Sequence, residues 1–154
     1  MSSFVVTRSA VVAARPETVR ALVEDFRAWR QWSPWEDLGD LRRTYTGAES
    51  GVGARYAWEG GRRAGAGSME IVAATPESVR IELQFLKPWR ATNQVDFTFA
   101  PAGEGTQVTW TMTGTHTGVA KLFARFVNAD KLVGPDFEKG LAKLKALAEA
   151  SGTA

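Results

Sequence analysis

Alternating hydrophobic and polar residues dominate the middle of the chain. Val79, Ile81, Leu83 and Phe85 are separated by Arg80, Glu82 and Gln84, which puts the two sets on opposite faces of one strand. Val95, Phe97 and Phe99 oppose Gln94, Asp96 and Thr98 in the same way, and Val108, Trp110 and Met112 oppose Thr109, Thr111, Thr113 and Thr115. The pattern predicts strands at 42–46, 54–59, 67–74, 78–86, 92–100 and 106–116, following a β-branched first strand at 4–14. Turns fall at "GAESGVG", "GGRRAGAG", "TPES", "KPW" and "PAGEG". Connections this short favour antiparallel neighbours.

A helical period occurs twice. After Pro16, which suits a first helical turn, Val19, Leu22, Val23 and Phe26 predict a helix over 17–29. Near the C-terminus Phe137, Leu141, Leu144 and Ala148 form an apolar stripe, with Lys139, Lys143 and Lys145 outside it. Gly134-Pro135 is expected to break or kink this last helix, because Pro135 lacks the donor and crowds the preceding turn. Gly140 leaves room on or near the buried face, either for a ligand or for close helix-to-sheet packing. The order is strand, helix, six strands, helix: an α+β fold of one domain, 1–154, with the final helix across the concave face of an antiparallel sheet.

Composition narrows the function classes. The 154 residues are 44% hydrophobic and 23% charged, values of an ordinary folded domain rather than a disordered chain. The net charge is +2, and Lys and Arg are interleaved with acids, so no stripe for tracking nucleic-acid phosphates forms. The absence of cysteine removes disulfides, thiol nucleophiles and thiolate zinc ligands together. No stretch approaches the roughly 20 apolar residues of a membrane span. Arg8 interrupts the only segment that resembles a signal peptide. A cytoplasmic location is the expectation.

Candidate chemistry is sparse. His116, the only histidine, ends the last predicted strand and is the first candidate for a general acid or base. Tyr56 and Glu59 come next. A lone histidine without cysteine makes a zinc site untenable, and no metal or cofactor is predicted. Glu70, Glu82 and Asp96 take outward positions on their strands, which suits solvated roles. "GVGARYAWEGGRRAGAG" lacks the third glycine of a dinucleotide fingerprint and opens no helix, so its glycines read as hairpin turns and bulges.

Aromatic weight is the distinguishing feature: six Trp, eight Phe and two Tyr. Three of the tryptophans, Trp29, Trp32 and Trp35, fall within "WRQWSPWED". Trp29 and Trp32 share a helical face and are expected to plug the core. Ser33-Pro34 then turns the chain and re-aims Trp35. Inward parity gathers Tyr56, Trp58, Met69, Phe85, Phe97, Trp110 and Met112 on one sheet face, and these residues either fill a core or line a pocket.

The segments "WRQWSPWE", "TYTGAESGVGARYAWEG", "GAGSMEI", "LQFLKPW", "VTWTM" and "DKLVGPDFEKGLAKLK" together resemble the polyketide cyclase/dehydrase-type branch of the START/Bet v1-like (SRPBCC) superfamily. The resemblance runs from the first strand to about Glu149. It implies a helix-grip fold: a curved seven-stranded antiparallel sheet around a long C-terminal helix, with a hydrophobic cavity between them. It also implies a small hydrophobic partner, aromatic, polyketide-like or acyl. Trp58, Met69, Phe85, Phe97, Trp110 and Met112 would be walls, Phe123 and Phe137 a helical lid, and Trp35 a further contact. No cyclase catalytic motif carries over. Non-catalytic binding is therefore the first reading, and a cyclase or dehydratase in the same cavity the second. The third is a filled core that acts through a protein partner or a homodimer.

Overall fold

The computed structural model describes residues 2–33, 41–60, 65–87, 90–116 and 129–152. Seven strands form one antiparallel sheet: β1 (Ser2–Val12), β2 (Arg42–Gly47), β3 (Ala54–Glu59), β4 (Ala66–Thr75), β5 (Ser78–Lys87), β6 (Ala91–Ala102) and β7 (Gly105–His116). Their spatial order is β1-β7-β6-β5-β4-β3-β2. The hairpins from β2 to β7 pair consecutively, as the short turns require, and β1 closes against β7 with Val6 opposite Met112 and Arg8 opposite Trp110. All seven predicted strands are present.

The parity argument holds across the sheet. Val79, Ile81, Val95, Phe97, Phe99, Val108 and Trp110 are each at most 3% exposed, whereas Arg80, Glu82, Gln94 and Thr98 face solvent. On the outer face the Thr7 and Thr111 hydroxyls bond each other at 3.0 Å. Thr106 is the inward exception: it is fully buried, and its hydroxyl donates to the Ala14 carbonyl at 2.8 Å.

The first helix is shorter than its period predicts. α1 covers Pro16–Val23, and a separate 3-10 turn spans Ala28–Gln31. Between them the Asp25 carboxylate accepts from the Arg27 amide at 3.0 Å and the Asp25 carbonyl from the Ala28 amide at 2.9 Å. A carboxylate that bonds its own backbone two residues on turns the chain and competes with the helix.

α2 (Ala129–Gly152) runs unbroken with Pro135 inside it, so of the break or kink expected at Gly134-Pro135 the break is absent. Proline removes one backbone bond near the start of a long helix, and the buried stripe of Phe137, Leu141, Leu144 and Ala148 holds the helix to the sheet regardless. Gly134 has a packing role. The Arg8 guanidinium lies against it, and a Cβ there would come within 2.8 Å of the guanidinium carbon.

Three polar contacts lay α2 along β1. Arg8 Nε meets Glu138 Oε2 at 3.0 Å, Lys145 Nζ donates to the Val11 carbonyl at 3.0 Å, and the Ala13 amide donates to Glu149 Oε2 at 2.9 Å. The helical rise from residue 138 to 149 and the strand rise from 8 to 13 are both about 16 Å, so the two ladders stay in step.

Candidate functional site

The concave face divides into a closed half and an open half. In the closed half, Trp29 and Trp32 lie 4.5 Å apart between centroids and meet Phe97 and Trp110 edge-on at 5.6–6.2 Å. Trp110 stacks on Phe97 at 5.0 Å and on Phe137 of α2 at 4.1 Å, the latter pair almost parallel at 6°. All five rings are at most 2% exposed.

Local sequence explains how the two tryptophans get there. A 3-10 turn eclipses side chains three residues apart, so Trp29 and Trp32 leave it in one direction. Both indoles then bond back to the end of α1: Trp29 Nε1 donates to the Val23 carbonyl at 2.8 Å, and Trp32 Nε1 to the Leu22 carbonyl at 2.9 Å. These are carbonyls that a helix end leaves without partners. The plug and the helix cap are the same residues.

In the open half the rings continue, and three of them are only partly covered. Phe26 leads to Tyr56 at 6.0 Å, Tyr56 stacks with Tyr45 at 5.3 Å and approaches Trp58 at 6.1 Å, and Trp58 meets Phe85 edge-on at 5.9 Å. Tyr45, Trp58 and Phe85 are partly exposed at the border of the core. The Arg27 guanidinium covers the Tyr45 ring at 4.8 Å. Met69, Leu83, Met112 and Asn93, each 7–9% exposed, complete the floor.

Gly67 makes the wall possible. It sits opposite Trp58 on one side and Phe85 on the other, next to a register shift in β4. A Cβ at this position would lie 2.6 Å from Trp58 Cζ2, so the indole crosses the sheet only over a bare backbone.

The structure places the predicted site residues unequally. Trp58, Met69, Phe85 and Met112 gather in the open half, with Tyr56 among them. Phe97, Trp110 and Phe137 stand in the closed cluster. Glu59 is exposed, on the opposite parity of β3 from Tyr56 and Trp58. His116 ends β7 opposite Ser2. Trp35 and Phe123 lie outside the described residues.

Sequence reasoning missed Asn93 and Tyr45. The signal for Asn93 was available: it stands two residues before Val95, in register with the inward apolar series. Tyr45 faces Tyr56 across the β2–β3 pair.

Electrostatics separates the two faces of the sheet. Arg80 pairs with Asp96 at 2.9 Å, Gln94 donates to the other Asp96 oxygen at 2.8 Å, Gln84 to Glu82 at 2.7 Å, and Arg55 pairs with Glu70 at 3.2 Å. All lie on the outer face. A groove of about 390 Å³ there, bordered by Arg80, Glu82, Thr92, Gln94 and Thr113 and reaching Asn93 and Gly114, is built around these charges, which already have protein partners. None of the carboxylates on the described strands faces inward. No group of three His, Asp or Glu among the described residues could hold a metal ion. Nor is any described helix long and apolar enough to cross a membrane.

A seven-stranded antiparallel sheet gripped by a long C-terminal helix defines the helix-grip, or Bet v1-like, class. The chain belongs to the family described as polyketide cyclase / dehydrase and lipid transport, matched over residues 3–149. No curated protein sequence matches it. Among solved structures it is similar to the Aha1 dimer from Colwellia psychrerythraea (14% identity, TM-score 0.67), covering 95% of this chain and 96% of that one. It is also similar to Ara h 8.0201 (10%, TM-score 0.67; 97% and 99%). DynU16, from the dynemicin biosynthetic locus, aligns with 96% of this chain over 48% of its own length (19%, TM-score 0.64). Identities this low establish the shared fold and leave function to the site.

Proposed function

We propose that this protein binds a small hydrophobic ligand, aromatic, polyketide-like or acyl, against the open half of the concave face, and does so without catalysing a reaction. One observation carries the reading. Tyr45, Trp58 and Phe85 remain partly exposed on the inner face while the neighbouring rings are sealed. Large apolar side chains left half-covered over an otherwise packed core are the lining expected of a ligand site, where a few polar groups orient an apolar body. The family description, which joins lipid transport to cyclisation, is consistent with it. The outward placement of Glu59, Glu70, Glu82 and Asp96 favours binding over acid–base chemistry, because a catalytic carboxylate must reach the substrate.

The test is displacement of anilinonaphthalene sulfonate fluorescence by β-methylnaphthalene. Wild type is expected to show saturable displacement, and Phe85→Ala and Trp58→Ala should each weaken it about ten-fold, the loss of one well-packed aromatic contact. Unchanged affinity in both variants, with the fold intact, would remove the wall from the site. The rival reading, a polyketide cyclase or dehydratase in the same space, draws on the family description alone. Its first candidate base is His116, with Tyr56 or Glu59 next, and unchanged turnover of a poly-carbonyl substrate in His116→Ala would remove His116 from that role.

A further inference from the structure

We infer that Asn93 is the polar anchor of this site, and that the ligand carries a hydrogen-bond donor, a phenolic or enolic hydroxyl or an N–H, on its apolar body. The inference rests on the reading of the concave face as a ligand site. Asn93 takes an inward position of β6, two residues before Val95 and four before Phe97. It is 8% exposed, and its Oδ1 is sealed from solvent with no hydrogen-bond partner. Buried amide oxygens are nearly always paired, because an unpaired one loses its water and gains nothing in return.

Among the described residues the surroundings offer no substitute partner. Leu83 faces Asn93 across the β5–β6 pair. Gly114 lies one position beyond the Gln94–Thr113 pair, and a side chain there would strike both Asn93 Oδ1 and the Phe4 ring. Gly114 therefore keeps the space that the amide occupies. Met112, on the same parity of β7, is also apolar and buried. A leucine at position 93 would suit these neighbours better than an amide does, so the amide answers to something outside the protein.

Position fixes the ligand geometry. Phe85 pairs with Ala91, two residues from Asn93 along β6, or about 7 Å. Asn93 Oδ1 lies on the Gly114 and Phe4 side of β6, so a ring system held on Phe85 and Trp58 must extend across β6 for a substituent on its far edge to reach it. The accepting atom is an oxygen, so the substituent must donate.

The experiment compares β-naphthol with β-methylnaphthalene, nearly the same shape with and without a donor, by displacement of anilinonaphthalene sulfonate. Wild type should prefer β-naphthol by about ten-fold or more, and Asn93→Leu should abolish the preference while retaining β-methylnaphthalene binding. In addition, the Asn93 side-chain amide NMR signals of labelled wild type should shift with β-naphthol and not with β-methylnaphthalene, a readout that needs no variant. Equal affinity of wild type for the two probes, or the same preference in wild type and Asn93→Leu, would overturn the anchor and leave the apolar site standing. Tighter binding of β-methoxynaphthalene, which only accepts, would likewise overturn it. Failure of every probe to bind wild type would overturn the ligand site and the anchor together.

Discussion

Gly67 lies beneath the Trp58 indole, and the half-open aromatic wall depends on that contact. Gly67→Ala would force the new methyl against Trp58 Cζ2 and the backbone carbonyl of Gln84, and a carbonyl cannot move aside as a side-chain end can. Thermal or denaturant unfolding should show a loss of about 1–3 kcal/mol, typical of an overpacked site. Probe affinity should fall with it as the indole is displaced. Trp29 tests the closed half. Trp29→Phe keeps a ring in the plug but strips the donor from the Val23 carbonyl, at an expected cost of about 1–3 kcal/mol in unfolding free energy. At this scale the sequence was legible wherever side-chain type and parity agreed, as with Trp58, Phe85 and Met112. It was illegible where one residue's role depends on the absence of another's side chain. Nothing in "GAGSMEI" says that Gly67 carries an indole, and only the folded structure shows that Asn93 Oδ1 has no partner.

Secondary elements were legible to within a few residues for the strands, because alternation has a strict period of two and a one-residue slip would turn every apolar side chain outward. The helices were less so. The period over 17–29 is genuine, but Asp25 divides it by bonding its own backbone, and the two tryptophans then fold back to cap the piece that remains. Gly134-Pro135, where a break or kink was expected, does not break the helix, and Gly134 seats the Arg8 guanidinium. The clamp of α2 on β1 also makes a pH prediction. The Ala13 amide and the Lys145 ammonium, 2.6 Å from Glu149 Oε2, hold the Glu149 carboxyl below its ordinary value of 4.5. A carboxyl depressed in the folded state stabilises it above the unfolded pKa, and that contribution disappears as pH falls through the folded value. Chemical denaturation of wild type and Glu149→Gln should therefore differ in full above pH 4.5 and converge as pH falls through the depressed folded value. A gap that is constant with pH would show that the contact contributes no charge-dependent stability.

The molecule as a whole is one sheet whose concave face is sealed at one end and left half-covered at the other. The fold was readable because strand count, turn length and the C-terminal stripe all pointed to the same helix-grip arrangement. Periodicity identifies inward residues without saying which of them touch protein and which would touch a ligand. Phe97, Trp110 and Phe137 share parity or stripe with true core positions, and their stacking at 4.1–5.0 Å emerges only from the assembled structure. If the open half binds ligand, saturating β-methylnaphthalene must raise the melting temperature, because a molecule that binds only the folded state shifts the equilibrium toward it. The most direct measurement is a heteronuclear NMR titration of the labelled protein with the same compound. The account predicts that the shifted resonances cluster at Tyr45, Tyr56, Trp58, Met69, Phe85 and Met112 and leave the outer groove around Arg80 and Glu82 unmoved. Shifts confined to that outer groove, or none at any concentration, would contradict it.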